Sequence, residues 1–126
     1  MEAKKKLLFI EDEGYVIARV DSILKNFPQF ETTKASKAAD ARALLEKSGP
    51  FDIVITDIYL EGVSGLELAH KARQANKDVC VILITGIDNT DLAAKALKEG
   101  AMDFVIKPPG LERLASMLKL VTLVKP

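Results

Sequence analysis

With one cysteine in 126 residues, Cys80 has nothing to pair with, which excludes an internal disulfide and a Cys-rich metal site. It falls inside the apolar run Val79–Ile84 and reads as a small buried hydrophobe. Net charge is also lacking. Eighteen Lys and Arg offset eighteen Asp and Glu, so no overall field steers the chain toward nucleic acid or an acidic membrane surface. The one basic run, Lys4-Lys5-Lys6, reads as a solvated leader to the first strand. No apolar stretch approaches a membrane span, and the first residues lack the apolar region of a secretory signal, so a cytoplasmic location is expected. The single histidine, His70, lies beside Lys71 and Arg73 and reads as a surface residue. No low-complexity linker and no DNA-binding motif occurs.

What is present is enough for one core and too little for two. A hydrophobic content of 48% with 29% charged residues suits a folded domain, and residues 1–126 are expected to form a single one. Short apolar runs alternate with helical periodicity five times. Lys6–Ile10 suits a strand buried on both faces, followed by Val16, Val20, Ile23, Leu24 and Phe27 at helical spacing up to Pro28. Phe30–Ala35 reads as an edge strand, and Ser36 as the cap of a helix closed by Gly49-Pro50. Asp52–Thr56 is strongly β-branched, and its following helix runs through Leu66, Ala69 and Ala72. Val79–Thr85 is a fourth strand, with Asp88 or Asn89 capping a helix that carries Leu92, Ala93, Ala96 and Leu97 and stops at Gly100. Phe104–Ile106 is a fifth strand, broken by Lys107-Pro108-Pro109-Gly110 before a last helix. The predicted fold class is α/β: a five-stranded parallel sheet, doubly wound with five helices, for which 2-1-3-4-5 is the common order.

In such a sheet the strand carboxyl ends share one edge. Glu11, Asp12 and Glu13 follow the first strand, Asp57 the third, Thr85 closes the fourth, and Lys107 follows the fifth. Singly each has an ordinary reading: Asp12 as a helix cap, Asp57 as an Asx-turn, Lys107 as a solvated lysine. Together they limit the chemistry. Clustered carboxylates need a cation to offset their repulsion, and oxygen donors alone favour a hard ion such as Mg²⁺. A carboxylate can attack phosphorus, with a lysine and a hydroxyl stabilising the phosphoryl oxygens.

Five pieces in order, Phe9–Glu13, Asp52–Asp57, Gly65–Leu68, Val81–Gly86 and Gly100–Pro108, resemble the receiver (CheY-like) domain of two-component response regulators over nearly the whole chain. The resemblance implies a flavodoxin-like, CheY-like fold and a phosphoryl group accepted by Asp57 from a histidine kinase or phosphotransfer protein. It matches Asp12 to the direct Mg²⁺ ligand and Glu11 to its partner, and implies the backbone carbonyl of Tyr59 as a further ligand. Thr85 matches the switch hydroxyl, Phe104 the switch aromatic and Lys107 the phosphate-binding lysine. The Lys107–Pro108 peptide bond is expected to be cis. The chain departs from the common pattern in Glu11 for Asp, Glu61 for Pro and Phe104 for Tyr. Tyr59 and Ile87, two residues after Asp57 and Thr85, either pack their loops or shield the phosphoryl group and lengthen its lifetime.

The last helix carries Leu111, Leu114, Ala115 and Leu118 on an expected inner face, with Met117, Leu120, Val121 and Val124 on another. The second row suggests a homodimer or a docked output domain at the face of the last two helices and Phe104, unless the helix buries both rows. Three other functions compete with the receiver reading. An aspartyl-phosphate phosphatase acting on an external substrate usually has a second Asp where Tyr59 stands. A binding module that no longer takes phosphate would be expected to lose Asp57, Lys107 or the acidic pair. A flavodoxin-like electron carrier needs a Ser/Thr/Gly-rich loop after the first strand. The receiver reading implies no enzyme activity beyond the domain's own phosphorylation and dephosphorylation.

Overall fold

A computed structural model of the chain describes residues 5–60, 63–86, 90–98, 103–107 and 110–124. Five strands, β1 (Lys5–Ile10), β2 (Phe30–Ala35), β3 (Ile53–Asp57), β4 (Cys80–Thr85) and β5 (Asp103–Ile106), form one sheet in the order β2-β1-β3-β4-β5. All four pairings are parallel. The helices are α1 (Gly14–Leu24), α2 (Ala38–Lys47), α3 (Gly65–Ala75), α4 (Thr90–Lys98) and α5 (Arg113–Val124), the last entered through a 3₁₀ turn at Gly110–Glu112. The five-stranded α/β architecture and strand order expected from the residues are those observed.

The central strands read as unbroken apolar runs because both of their faces are covered. Leu7 and Phe9 of β1, Ile53 and Ile55 of β3, and Ile82 and Ile84 of β4 join a core with Val16 and Val20 of α1 and Leu114 and Leu118 of α5. Their alternate neighbours Leu8, Ile10, Val54, Val81 and Leu83 join a second core with Ala41 and Leu45 of α2, Leu68 and Ala72 of α3, and Ala96 of α4. Cys80 is buried in the first core, as its apolar context predicts.

Several local expectations are corrected. α1 stops at Leu24 rather than running to Pro28, because the amides of Asn26 and Phe27 bond the carbonyls of Ile23 and Leu24 three residues back and tighten the turn. Phe27 stays buried and stacks on Phe30, ring centroids 5.7 Å apart. Lys37, not Ser36, occupies the N-cap of α2, with no side-chain cap bond. On α5, Met117 and Val121 are buried with the inner row and Ala115 is only half-buried, so among the described residues the outward large apolar side chains are Leu120 and Leu123. Among the described residues the cis peptide bond is Gly49–Pro50. The Lys107–Pro108 bond lies outside them, as do Glu61, Gly62, Ile87, the expected caps Asp88 and Asn89, Gly100, and the side chains of Leu92, Ala93 and Val124.

Candidate functional site

The sheet register gathers the polar residues. Ile10 pairs with Thr56, so Glu11 leaves β1 beside Asp57, the last residue of β3. Thr85 pairs with Ile106, and the Lys107 amide donates to the Thr85 carbonyl at 2.8 Å, which carries Lys107 onto the same edge. Asp57 and Glu11 are both buried, at 3% and 1% exposure, although carboxylates are seldom buried without compensation.

The compensation is partial. Asp57 accepts from Lys107 Nζ at 3.0 Å on Oδ2 and from the Tyr59 amide at 3.1 Å on Oδ1. Glu11 Oε2 accepts from the amides of Asp12 and Glu13, at 3.1 and 3.3 Å. Glu11 Oε1 is buried with no hydrogen-bond partner. Burial, followed by the neighbouring Asp57 carboxylate, pushes the Glu11 pKa up to about 8, with Lys107 pulling in the opposite direction. Glu11, exposed Asp12 and Asp57 each offer a carboxylate oxygen, and these lie within 4.8 Å of one another. An all-oxygen set with a buried orphan acceptor and mutually repelling carboxylates fits a hard divalent cation.

Lys107 links the cluster to α1. Its ammonium pairs with Glu13 as well as with Asp57. Burial alone would lower its pKa, but the bonds to Glu13 and Asp57 and the charge of Glu11 override that and hold the lysine firmly protonated. Thr85 is fully buried, and its hydroxyl donates to the Gly86 carbonyl at 2.9 Å. Phe104 is half-buried against the α2–α4 core, and its carbonyl accepts from Arg113 at 3.3 Å. Tyr59 exposes half of its side chain beside the site, while Ile87 falls outside the described residues. Glu11, Asp12, Asp57 and Lys107 therefore come together as expected, whereas the Thr85 hydroxyl bonds to its own loop.

Two site residues escaped the sequence reading. Glu13 stood among the acidic residues after β1 but received no role, since nothing local predicts an ion pair with a lysine ninety-four positions away. Gly65, the first residue of α3, is the other. A Cβ there would lie 2.1 Å from the Asp57 carbonyl oxygen, and its amide donates to the Ile58 carbonyl at 2.7 Å. The start of α3 thus rests directly on the backbone that carries Asp57.

Known proteins share this arrangement of sequence and fold. The family model described as response regulator receiver domain matches residues 7–119. The response regulator protein PilR of Pseudomonas aeruginosa is 34% identical over 92% of the chain, which covers 26% of PilR. The transcriptional regulatory protein CitT of Halalkalibacterium halodurans is 29% identical over 90% of the chain, half of its own length. The chain thus spans between about a quarter and a half of these relatives. A receiver domain protein from Clostridium thermocellum superposes with a TM-score of 0.81 at 27% identity, covering 96% of both chains. The chemotaxis response regulator CheY4 of Vibrio cholerae, at 22% identity, shares the fold with a TM-score of 0.77 over 94% of this chain and 98% of its own. The chain belongs to the response regulator receiver domain family of two-component signalling.

Proposed function

We propose that residues 1–126 form a single receiver unit in which Asp57 takes a phosphoryl group from a phosphohistidine on a histidine kinase or phosphotransfer protein, in a Mg²⁺-dependent reaction. The observation that carries this reading is the Lys107 ammonium 3.0 Å from a buried Asp57 carboxylate, itself within reach of Glu11 and Asp12. An Asp57 oxygen attacks phosphorus, the P–N bond to the donor imidazole breaks, and the imidazole nitrogen leaves with the electron pair. Mg²⁺, held by Asp12, Asp57, the Tyr59 carbonyl and Glu11 through water, would supply positive charge to the phosphoryl oxygens. Lys107, bonded to Asp57 Oδ2, adds a second positive charge.

In this reading Thr85 gives up its bond to Gly86 and donates to a phosphoryl oxygen. Phe104 then repacks and alters the face of α4, β5 and α5 for an output domain or a second copy. Lys107 and Thr85 serve the domain's own phosphorylation, and no external substrate is converted. A cytoplasmic setting follows from that donor, and among the described residues no helix is long and apolar enough to cross a membrane.

The test is a beryllofluoride titration with and without Mg²⁺, followed by amide NMR on the wild type and Asp57→Ala. Mg²⁺-dependent shifts at Asp57, Thr85, Phe104 and Lys107, absent in the variant, are expected. No binding by the wild type would reduce the domain to a phosphorylation-independent interaction module. Tyr59 and Ile87 are proposed to shield the phosphoryl group from water. Phospho-Asp57 should then decay about tenfold faster in Tyr59→Asn or Ile87→Glu, a barrier change of ~1.4 kcal/mol. Equal decay in both variants and the wild type would remove the shielding role.

A further inference from the structure

Glu13 has no part in the phosphoryl transfer just described, yet it binds the lysine on which that transfer depends. Its backbone is fixed at the N-cap of α1, where its carbonyl accepts the Ile17 amide at 3.0 Å. Its carboxylate makes no cap bond and turns instead to Lys107. The hydrogen bond from Lys107 is the main reason the Glu13 carboxyl is held below its usual range, and Tyr15 adds a weaker one. The Lys107 side chain is 17% exposed and cannot swing freely into solvent, so its ammonium is divided between Glu13 and Asp57.

We propose that Glu13 is a positioning residue that competes with a phosphoryl group on Asp57 for the Lys107 ammonium, biasing the site toward its unphosphorylated state. The proposal rests on the phospho-acceptor reading above. A phosphoryl group carries close to two negative charges at neutral pH. Glu13, itself an anion, withholds one of the three lysine N–H donors from the new anion. Its side chain is 41% exposed, so solvent screens that charge, and the effect is a bias rather than a block.

The experiment measures beryllofluoride affinity at saturating Mg²⁺ in the wild type, Glu13→Gln, Lys107→Ala and the double variant. A parallel measurement follows hydrogen exchange at the Lys107 ammonium by ¹⁵N NMR in the ligand-free protein. Glu13→Gln is expected to bind about tenfold more tightly, or ~1.4 kcal/mol. That gain should largely vanish in the Lys107→Ala background, and Lys107 exchange should quicken in Glu13→Gln. Unchanged or weaker binding by Glu13→Gln, with the wild type still binding, overturns the competition and leaves Asp57 as acceptor. A gain that survives removal of Lys107 overturns it too, because charge repulsion alone would then be acting. Unchanged Lys107 exchange overturns the tether. Failure of the wild type to bind overturns the phospho-acceptor reading, and the proposal with it.

Discussion

Gly65 and Asp57 meet backbone to backbone, so one added methyl group probes how closely α3 is set against the acceptor strand. The obstruction is a carbonyl oxygen 2.1 Å from where a Cβ would sit, and backbone cannot rotate away as a side-chain tip would. Gly65→Ala should cost about 1–3 kcal/mol, the usual range for overpacking, and should shift the Asp57 and Ile58 amide resonances. Denaturant unfolding with NMR checks both; a neutral variant with unmoved resonances would contradict the contact. Asp57→Asn tests the opposite kind of strain. It removes the charge that, with burial, keeps Glu11 protonated at neutral pH, and Lys107 keeps Glu13 as a partner. In chelator the variant should be more stable than the wild type by about 1 kcal/mol, within the range set by burying like charges. Added Mg²⁺ should narrow the gap, since a ligand that binds only the folded wild type stabilises it by mass action. Equal melting temperatures in chelator would show that the repulsion is already relieved.

At the scale of elements, α5 separates core from surface within one turn. Leu118 is fully buried in the α1–α5 core, whereas Leu120 is 53% exposed. Leu118→Ala should cost about 2–5 kcal/mol and Leu120→Ala within about 0.5, measured by urea unfolding. Comparable losses at both positions would mean that the helix is rotated about its axis. The two rows also mark where the sequence was legible. β3 and β4 were plain because every described side chain in Ile53–Asp57 and Cys80–Thr85 is buried, leaving continuous apolar runs. The ends of α1 and α2 were not, since each depends on which carbonyl a given amide selects, and periodicity does not encode that choice. Met117 and Val121 join the core and not the outer row that spacing predicts, because spacing alone does not fix how wide a stripe the facing sheet covers. The site followed the same division. Glu11, Asp12, Asp57 and Lys107 were readable because parallel strands bring their ends to one edge. Glu13 with Lys107 and Gly65 with Asp57 are tertiary approaches that no local pattern records.

For the molecule as a whole, the question is whether its surface joins copies before or only after Asp57 is modified. Among the described residues, the exposed large apolar side chains on α5 are Leu120 and Leu123, three apart and so on one helix face. Two leucines supply far less than the roughly 800 Å² per partner that a stable interface buries. The unmodified domain should therefore sediment as a monomer at tens of micromolar. If beryllofluoride with Mg²⁺ draws the Thr85 hydroxyl from Gly86 and repacks Phe104, β5 and α5 move relative to α4, and a larger face becomes available beside the two leucines. A dimer should then appear, and Leu120→Glu with Leu123→Glu should abolish it; at protein concentrations too low for the dimer to form, beryllofluoride affinity should stay within about twofold of the wild type. A monomer under both conditions would assign the face to a different partner.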